Sequence, residues 1–206
     1  MKNLFAICLT SAAILTGYES AIAATLNVQV VDTSGKTLSD AAVYAEPLAP
    51  LAPGHAREAE IEQKSRKFMP IMTVVQTGAQ ISFPNNDTVR HHVYSFSPTK
   101  PFELKLYSGT PGSPILFDKP GTVVIGCNIH DQMVAYIQVV NTPYFGKSDE
   151  AGHVRIVSVP PGKYRLKAWH YQSPPSSPPV ENEIAITTSD VTAKLVVATK
   201  SMAGAH

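Results

Sequence analysis

The stretch Thr122-Val123-Val124-Ile125-Gly126-Cys127-Asn128-Ile129-His130-Asp131-Gln132-Met133-Val134-Ala135-Tyr136-Ile137-Gln138-Val139-Val140 decides how the chain reads. Two runs rich in Val and Ile, Thr122 to Ile125 and Val134 to Val140, have the composition of strands. Between them lies a break, Gly126 to Met133, that holds Cys, His and Met. A break of this kind between apolar runs reads as the loop joining neighbouring strands.

Working outward, the same grammar repeats. Thr25 to Val31 alternates through Leu26, Val28 and Val30, and Asp32-Thr33-Ser34-Gly35 turns it. Ala41 to Ala45 is a second short strand, and Pro47 to Pro53 reads as a linker. Glu58 to Lys67 is charged without a clear apolar face and fits either a short helix or an edge strand. Ile71 to Gln76, Ile81 to Phe83, His91 to Phe96, Phe102 to Tyr107 and Ile115 to Phe117 follow, parted by Gly, Pro and Asn turns. His153 to Val157, Lys163 to Trp169, Glu183 to Ile186 and Val191 to Ala198 continue the pattern. Ser173 to Pro179 reads as a loop, and the tail from Lys200 as frayed. The expectation is an all-β chain of antiparallel sandwiches or barrels.

With 206 residues and 44% hydrophobic composition, the chain can form one large domain or two small ones, each with a core. A net charge of +1 gives no field that points to nucleic acid. Lys2, the apolar stretch Leu4 to Leu15 and the small residues Ala21-Ile22-Ala23 have the form of a secretory leader over residues 1–23. The apolar run is short for a membrane span. Export to the periplasm, with no stable membrane insertion after leader removal, is the resulting expectation. Cys8 leaves with the leader, so Cys127 is then the sole cysteine and no internal disulfide can form. A lone thiol in an oxidising compartment is exposed to oxidation unless something occupies the sulfur.

A metal would do so. Cys127, His130 and Met133, with a histidine from upstream Arg90-His91-His92-Val93, form the ligand set of an electron-transferring copper site: two imidazoles, a thiolate and a weak axial thioether. With metal–ligand bonds near ~2 Å, the donors must lie roughly 3–4 Å apart. Three extended residues would separate them by about 10 Å, so the chain must fold back at Asn128-Ile129. Thiolate and thioether suit Cu(I), and imidazole suits both copper oxidation states. The competing reading is a buried cysteine, a core methionine and surface histidines on a metal-free sandwich. Neighbours on a strand face opposite ways, so only one of His91 and His92 can serve.

Residues 70 to 140 resemble a cupredoxin, the fold of plastocyanin, pseudoazurin and amicyanin. Val75-Gln76-Thr77-Gly78-Ala79-Gln80-Ile81-Ser82-Phe83-Pro84-Asn85-Asn86-Asp87 is similar to the family's run before its first histidine. Arg90-His91-His92-Val93 resembles its Pro-His-Asn-Val, and Phe117-Asp118-Lys119-Pro120-Gly121-Thr122 its turn into the Cys strand. The Cys-x2-His-x2-Met spacing is that of amicyanin. The resemblance implies a Greek-key sandwich in which His91, Cys127 and His130 are equatorial copper ligands and Met133 is axial. Arg90 stands where the family has Pro, His92 where it has Asn, Asn128-Ile129 where it has Thr/Ser-Pro, and Gly126 where it has an aromatic residue.

The flanks resemble a carboxypeptidase-regulatory-like (transthyretin-type) sandwich: Val28 to Leu38 with Ala41-Ala42-Val43, then Asp149 to Arg155 with Val159-Pro160-Pro161-Gly162-Lys163-Tyr164. The organisation expected is one such sandwich, 24–55 and 143–200, split by a cupredoxin-like domain over 56–142, with a tail at 201–206.

The expected function is periplasmic one-electron transfer with an unidentified redox partner protein. A Cu(I) carrier or store, and a secreted structural sandwich with a vestigial site, are the alternatives. The amicyanin likeness points by analogy to amine-oxidising systems such as methylamine utilization. No nucleophile–base pair, phosphate loop or paired carboxylates stand out, so an enzyme is not expected. His55, His153, His170 and His206 read as surface residues, Tyr94, Phe96 and Phe102 as core, Trp169 as structural and Asp131 as solvated.

Overall fold

The computed structural model describes residues 23–50, 56–174 and 177–200. The expected leader up to Ile22, Cys8, His55, His206, the end of the 47–53 linker and the 201–206 tail lie outside the described residues.

Every regular element among the described residues is a strand. The first seven are β1 (Ala24–Asp32), β2 (Ala42–Pro47), β3 (Ala59–Glu60), β4 (Glu62–Lys64), β5 (Lys67–Met69), β6 (Met72–Gln76) and β7 (Ala79–Ser82). Next come β8 (His91–Ser95), β9 (Phe102–Tyr107), β10 (Ile115–Phe117), β11 (Gly121–Gly126) and β12 (Val134–Val140). The last are β13 (Phe145–Lys147), β14 (His153–Val159), β15 (Gly162–Trp169), β16 (Val180–Ile186) and β17 (Val191–Val197). The all-β expectation holds. No helix among the described residues is long and apolar enough to cross a membrane.

Two apolar clusters with no residue in common organise these strands. The first lies between a sheet ordered β14-β1-β17 and one ordered β13-β2-β15-β16. Leu26, Val28 and Val30 of β1 face Val43 and Ala45 of β2 and Leu166 of β15 across it. The second lies under a sheet ordered β6-β12-β11-β8-β9, with the smaller sheet β10-β7-β3 and the hairpin β4-β5 closing it. Its largest buried side chains include Phe83, Phe117, Ile61 and Ile81.

Pairing is mixed rather than antiparallel throughout. β1 runs parallel to β17, β12 to β6, and β3 to β7. Each parallel pair joins segments separated by other strands of the chain, as parallel neighbours require. The charged stretch from Glu58 resolves as edge strands: Ile61, Gln63 and Phe68 are buried while the charged residues between them face out. Ser65 and Arg66 turn the β4–β5 hairpin with φ of 52° and 57°, the left-handed pair that a tight hairpin uses.

Three aromatics outside both clusters join β12 to β15 and the turn after it. Tyr136 of β12 stacks on Tyr171 at 5.2 Å and leans on Trp169 at 6.0 Å. Trp169 is thus structural, as its sequence suggested, but it braces the neighbouring sheet as well as its own. His170 is not a surface histidine. It is buried, its Nε2 donates to the Ser39 carbonyl at 3.0 Å, and its Nδ1 accepts from the Gln172 amide at 3.2 Å. Both ring nitrogens are used in the neutral form, and burial pulls the imidazole below its ordinary range against the Ser39 bond and the Asp40 charge. The unfolded chain therefore takes up this proton more readily than the fold does. His170 contributes its full stability above the ordinary histidine range and loses it as pH falls through that range. Urea unfolding at pH 7.5 and 5.5 should show a smaller acid loss in His170→Gln than in the parent.

Candidate metal centre

Pleat parity places the donors. Along β11, Val123 and Ile125 point into the second cluster, and the next inward position after them is Cys127, 2% exposed. Along β12, Ala135, Ile137 and Val139 point inward, and Met133 precedes them in the same phase, 1% exposed. Along β8, His91, Val93 and Ser95 are buried while His92 and Tyr94 face the other way. His91, Cys127 and Met133 therefore sit at the ends of their strands, at the edge of one apolar core.

The loop closes as the spacing required. The Cys127 amide donates to the Met133 carbonyl at 3.2 Å, and the Met133 amide to the His130 carbonyl at 2.9 Å. Asn128 and Ile129 form the fold-back, leaving Ile129 exposed. His91 Nδ1 lies 3.7 Å from Cys127 Sγ. Donor atoms of His91, Cys127 and His130 all fall within 4.8 Å of one another, and the two imidazoles meet edge-on at 5.1 Å between centroids. A trigonal ion with bonds of ~2.0 Å to nitrogen and ~2.3 Å to sulfur sets its donors about 3.7 Å apart. His130 Nδ1 is buried and finds no hydrogen-bond partner among the described residues. An unpartnered buried nitrogen is costly unless a metal completes it. The three donors fit a soft to borderline cation.

The surroundings of His91 were not anticipated from the sequence. Its Nε2 meets Asp87 Oδ2 at 3.1 Å. Asp87 is held well below the usual carboxylate range, at about 2, first by the Arg66 amide and then by His91 and the Thr88 amide. Tyr107 closes the same side by donating its hydroxyl to the Phe83 carbonyl at 2.6 Å, and burial pushes its phenol up to about 12. The only hint in the sequence was the Asn85-Asn86-Asp87 turn, which reads equally well as ordinary turn chemistry.

The alternative ligand, His92, points away and lies 3.0 Å from Glu103, a contact without hydrogen-bond alignment. Phe96 is not core: it is 86% exposed, its ring tilted against Tyr94 at 5.0 Å between centroids. The outward phase of β8 that His92 and Tyr94 share reaches Phe96 just past its end. Phe102 is half-buried against the core, and Asp131 and His153 are exposed.

No family model and no curated protein matches the chain. Solved structures do match part of it. The likeness is to cupredoxins. A purple cupredoxin from Nitrosopumilus maritimus aligns at 18% identity and a TM-score of 0.36, over 40% of this chain and 99% of that one. The reduced Cu(I) form of an amicyanin mutant aligns at 16% identity and a TM-score of 0.37, over 48% of this chain and 98% of that one. A Cu-containing nitrite reductase from Thermus scotoductus aligns at 23% and 0.39, over 47% of this chain and only 26% of its own length. The candidate site rests on its own atoms.

One departure from the cupredoxin pattern has a local explanation. Gly126 precedes Cys127 where the family carries an aromatic side chain, and a Cβ added there would lie 3.1 Å from the Tyr94 ring. The Tyr94 ring, from the neighbouring strand, occupies that space instead. Gly126→Val should push Tyr94 outward and cost about 1–3 kcal/mol in urea unfolding, the usual range for overpacking.

Proposed function

We propose that the chain holds one copper ion on His91, Cys127 and His130, with Met133 as the fourth ligand, and passes single electrons to and from a partner protein. The observation that carries this is the convergence of two imidazoles and a thiolate within 4.8 Å, one imidazole nitrogen being buried without a partner. Copper, when bound, supplies the one-electron couple. The chain's own residues supply the rest. The strand ends of β8, β11 and β12 fix the donors before any ion arrives, so little reorganisation accompanies a change of charge. The apolar cluster beneath Cys127 and Met133 excludes water. His130 is half-buried and is the donor nearest solvent, which makes it the side for electron entry and exit.

Burial of His91, Cys127 and Met133 favours electron transfer over copper delivery, because release would require the loop to open. The soft pair of sulfurs favours copper over zinc, which gains little from a thioether. With Met133 as the fourth ligand, no coordination position would be left for a substrate, so the reading is a carrier and not an enzyme. The leader-like start and the lone thiol support a periplasmic setting. The two separate apolar clusters support a division into a 56–142 copper domain inserted in a transthyretin-type sandwich made of 24–55 and 143–200.

Protein loaded with Cu(II) should bind one ion per chain, absorb intensely in the visible and show a reversible couple in voltammetry. Cys127→Ser should abolish the colour while leaving the far-UV circular dichroism unchanged. Copper should also raise the melting temperature of the parent. A colourless complex would sink the electron-transfer reading, and a coloured one without reversible cycling would favour a carrier.

A further inference from the structure

We infer that Asp87 is the positioning residue of the site: its carboxylate fixes the tautomer of His91 and strengthens that ring as a donor to the higher-charged state of the ion. This rests on the copper reading above and adds to it a group outside the ligand set.

The two imidazoles are held differently. His91 is fully buried, with Asp87 Oδ2 3.1 Å from Nε2 and Cys127 Sγ 3.7 Å from Nδ1. A carboxylate accepts, so Nε2 carries the hydrogen and Nδ1 presents its lone pair toward the sulfur. No carboxylate contacts either ring nitrogen of His130 among the described residues.

Asp87 is itself anchored. Its Oδ2 accepts from the Arg66 amide at 2.7 Å and its Oδ1 from the Thr88 amide at 2.9 Å. Its own amide donates to Asn85 Oδ1 at 3.0 Å, and Asn85 Nδ2 donates to the carbonyls of Tyr107 at 2.8 Å and Val89 at 3.0 Å. The Arg66 donor sits at the tip of the β4–β5 hairpin, which is fastened to the same loop by Gln63: its side chain donates to Phe83 O at 3.1 Å and its backbone amide to Pro84 O at 2.8 Å. The hairpin thus has a specific task, to hold one carboxylate against one imidazole. A fixed negative charge behind a metal-binding histidine raises ligand basicity and favours the more positive ion, as carboxylate–histidine pairs do at other metal sites.

The test uses the full-length mature chain. In the metal-free parent, nitrogen-15 NMR of His91 should show the Nε2–H tautomer, and Asp87→Ala should lose that preference. In copper-loaded protein, Asp87→Asn, which keeps the shape and an acceptor but removes the charge, should weaken Cu(II) about 10–100-fold. Cu(I) should be weakened less, so the reduction potential moves positive. Asp87→Glu should recover part of the shift. If the parent takes up copper and Asp87→Asn keeps both its potential and its Cu(II) affinity, the tuning role is overturned, whatever the variant does to melting temperature. If the parent takes up no copper, the copper reading fails, and the metal-free tautomer in parent and Asp87→Ala alone decides whether Asp87 positions the ring.

Discussion

The strand pleat is the constraint on which the site depends. Side chains alternate across a sheet with a period fixed by the backbone, and each of three strands keeps its inward phase up to the position where a donor is needed. Ile125 and Cys127 share a phase, as do Met133 and Ala135, and His91 and Val93. A slip of one residue in β8 would present His92 in place of His91 and carry Val93 to the surface. The apolar residues that stabilise the sheet therefore also specify which histidine faces the sulfur. Core packing and ligand geometry are one set of contacts here, and a change in the first moves the second.

What the pleat does not fix is the orientation of a ring about its own axis. The turn before β8 does that. Asn85, Asp87 and the β4–β5 hairpin form a hydrogen-bonded block around the entry to His91, and the Tyr107 hydroxyl from β9 ties into it through Gln63 and Phe83. Asn85 Nδ2, Gln63 Nε2 and the Tyr107 hydroxyl each find a partner within that block, which holds the loop in place. The short, charged 59–69 segment has little apolar area of its own beyond Ile61 and Phe68. Its place in the fold follows from the polar groups it satisfies as much as from burial.

These two layers of control explain what the sequence could and could not disclose. Strand positions, inward phases and the Cys-x2-His-x2-Met spacing were readable because alternation and donor chemistry are local properties of the chain. So was the preference for His91 over His92, since it needs only parity and the family pattern. The role of Asp87 was not readable, because its partners Arg66 and His91 come together only when a hairpin folds over a turn. Phe96 was misplaced for a related reason. An aromatic just beyond an alternating strand looks like core until the phase is known, and here the phase that buries His91 turns Phe96 outward. His170 went the other way: a lone histidine reads as exposed unless the loop carbonyl of Ser39, far away in sequence, is seen to receive it.

Gly126 shows how a departure from a family pattern can be neutral in packing and still matter for function. Removing a side chain beside the sulfur would leave a void in an otherwise close-packed layer. Tyr94 fills it from the adjacent strand, pairing with Gly126 across the sheet. The aromatic surface next to the Cys127 backbone is thus supplied from β8 and continues outward through Phe96 and across to His92. One consequence follows from geometry alone. The ring that abuts the cysteine strand belongs to the same strand as the buried histidine, so any motion of β8 moves the His91 imidazole and the adjoining aromatic face together. The sheet, and not the Cys loop by itself, is the rigid unit that carries the site.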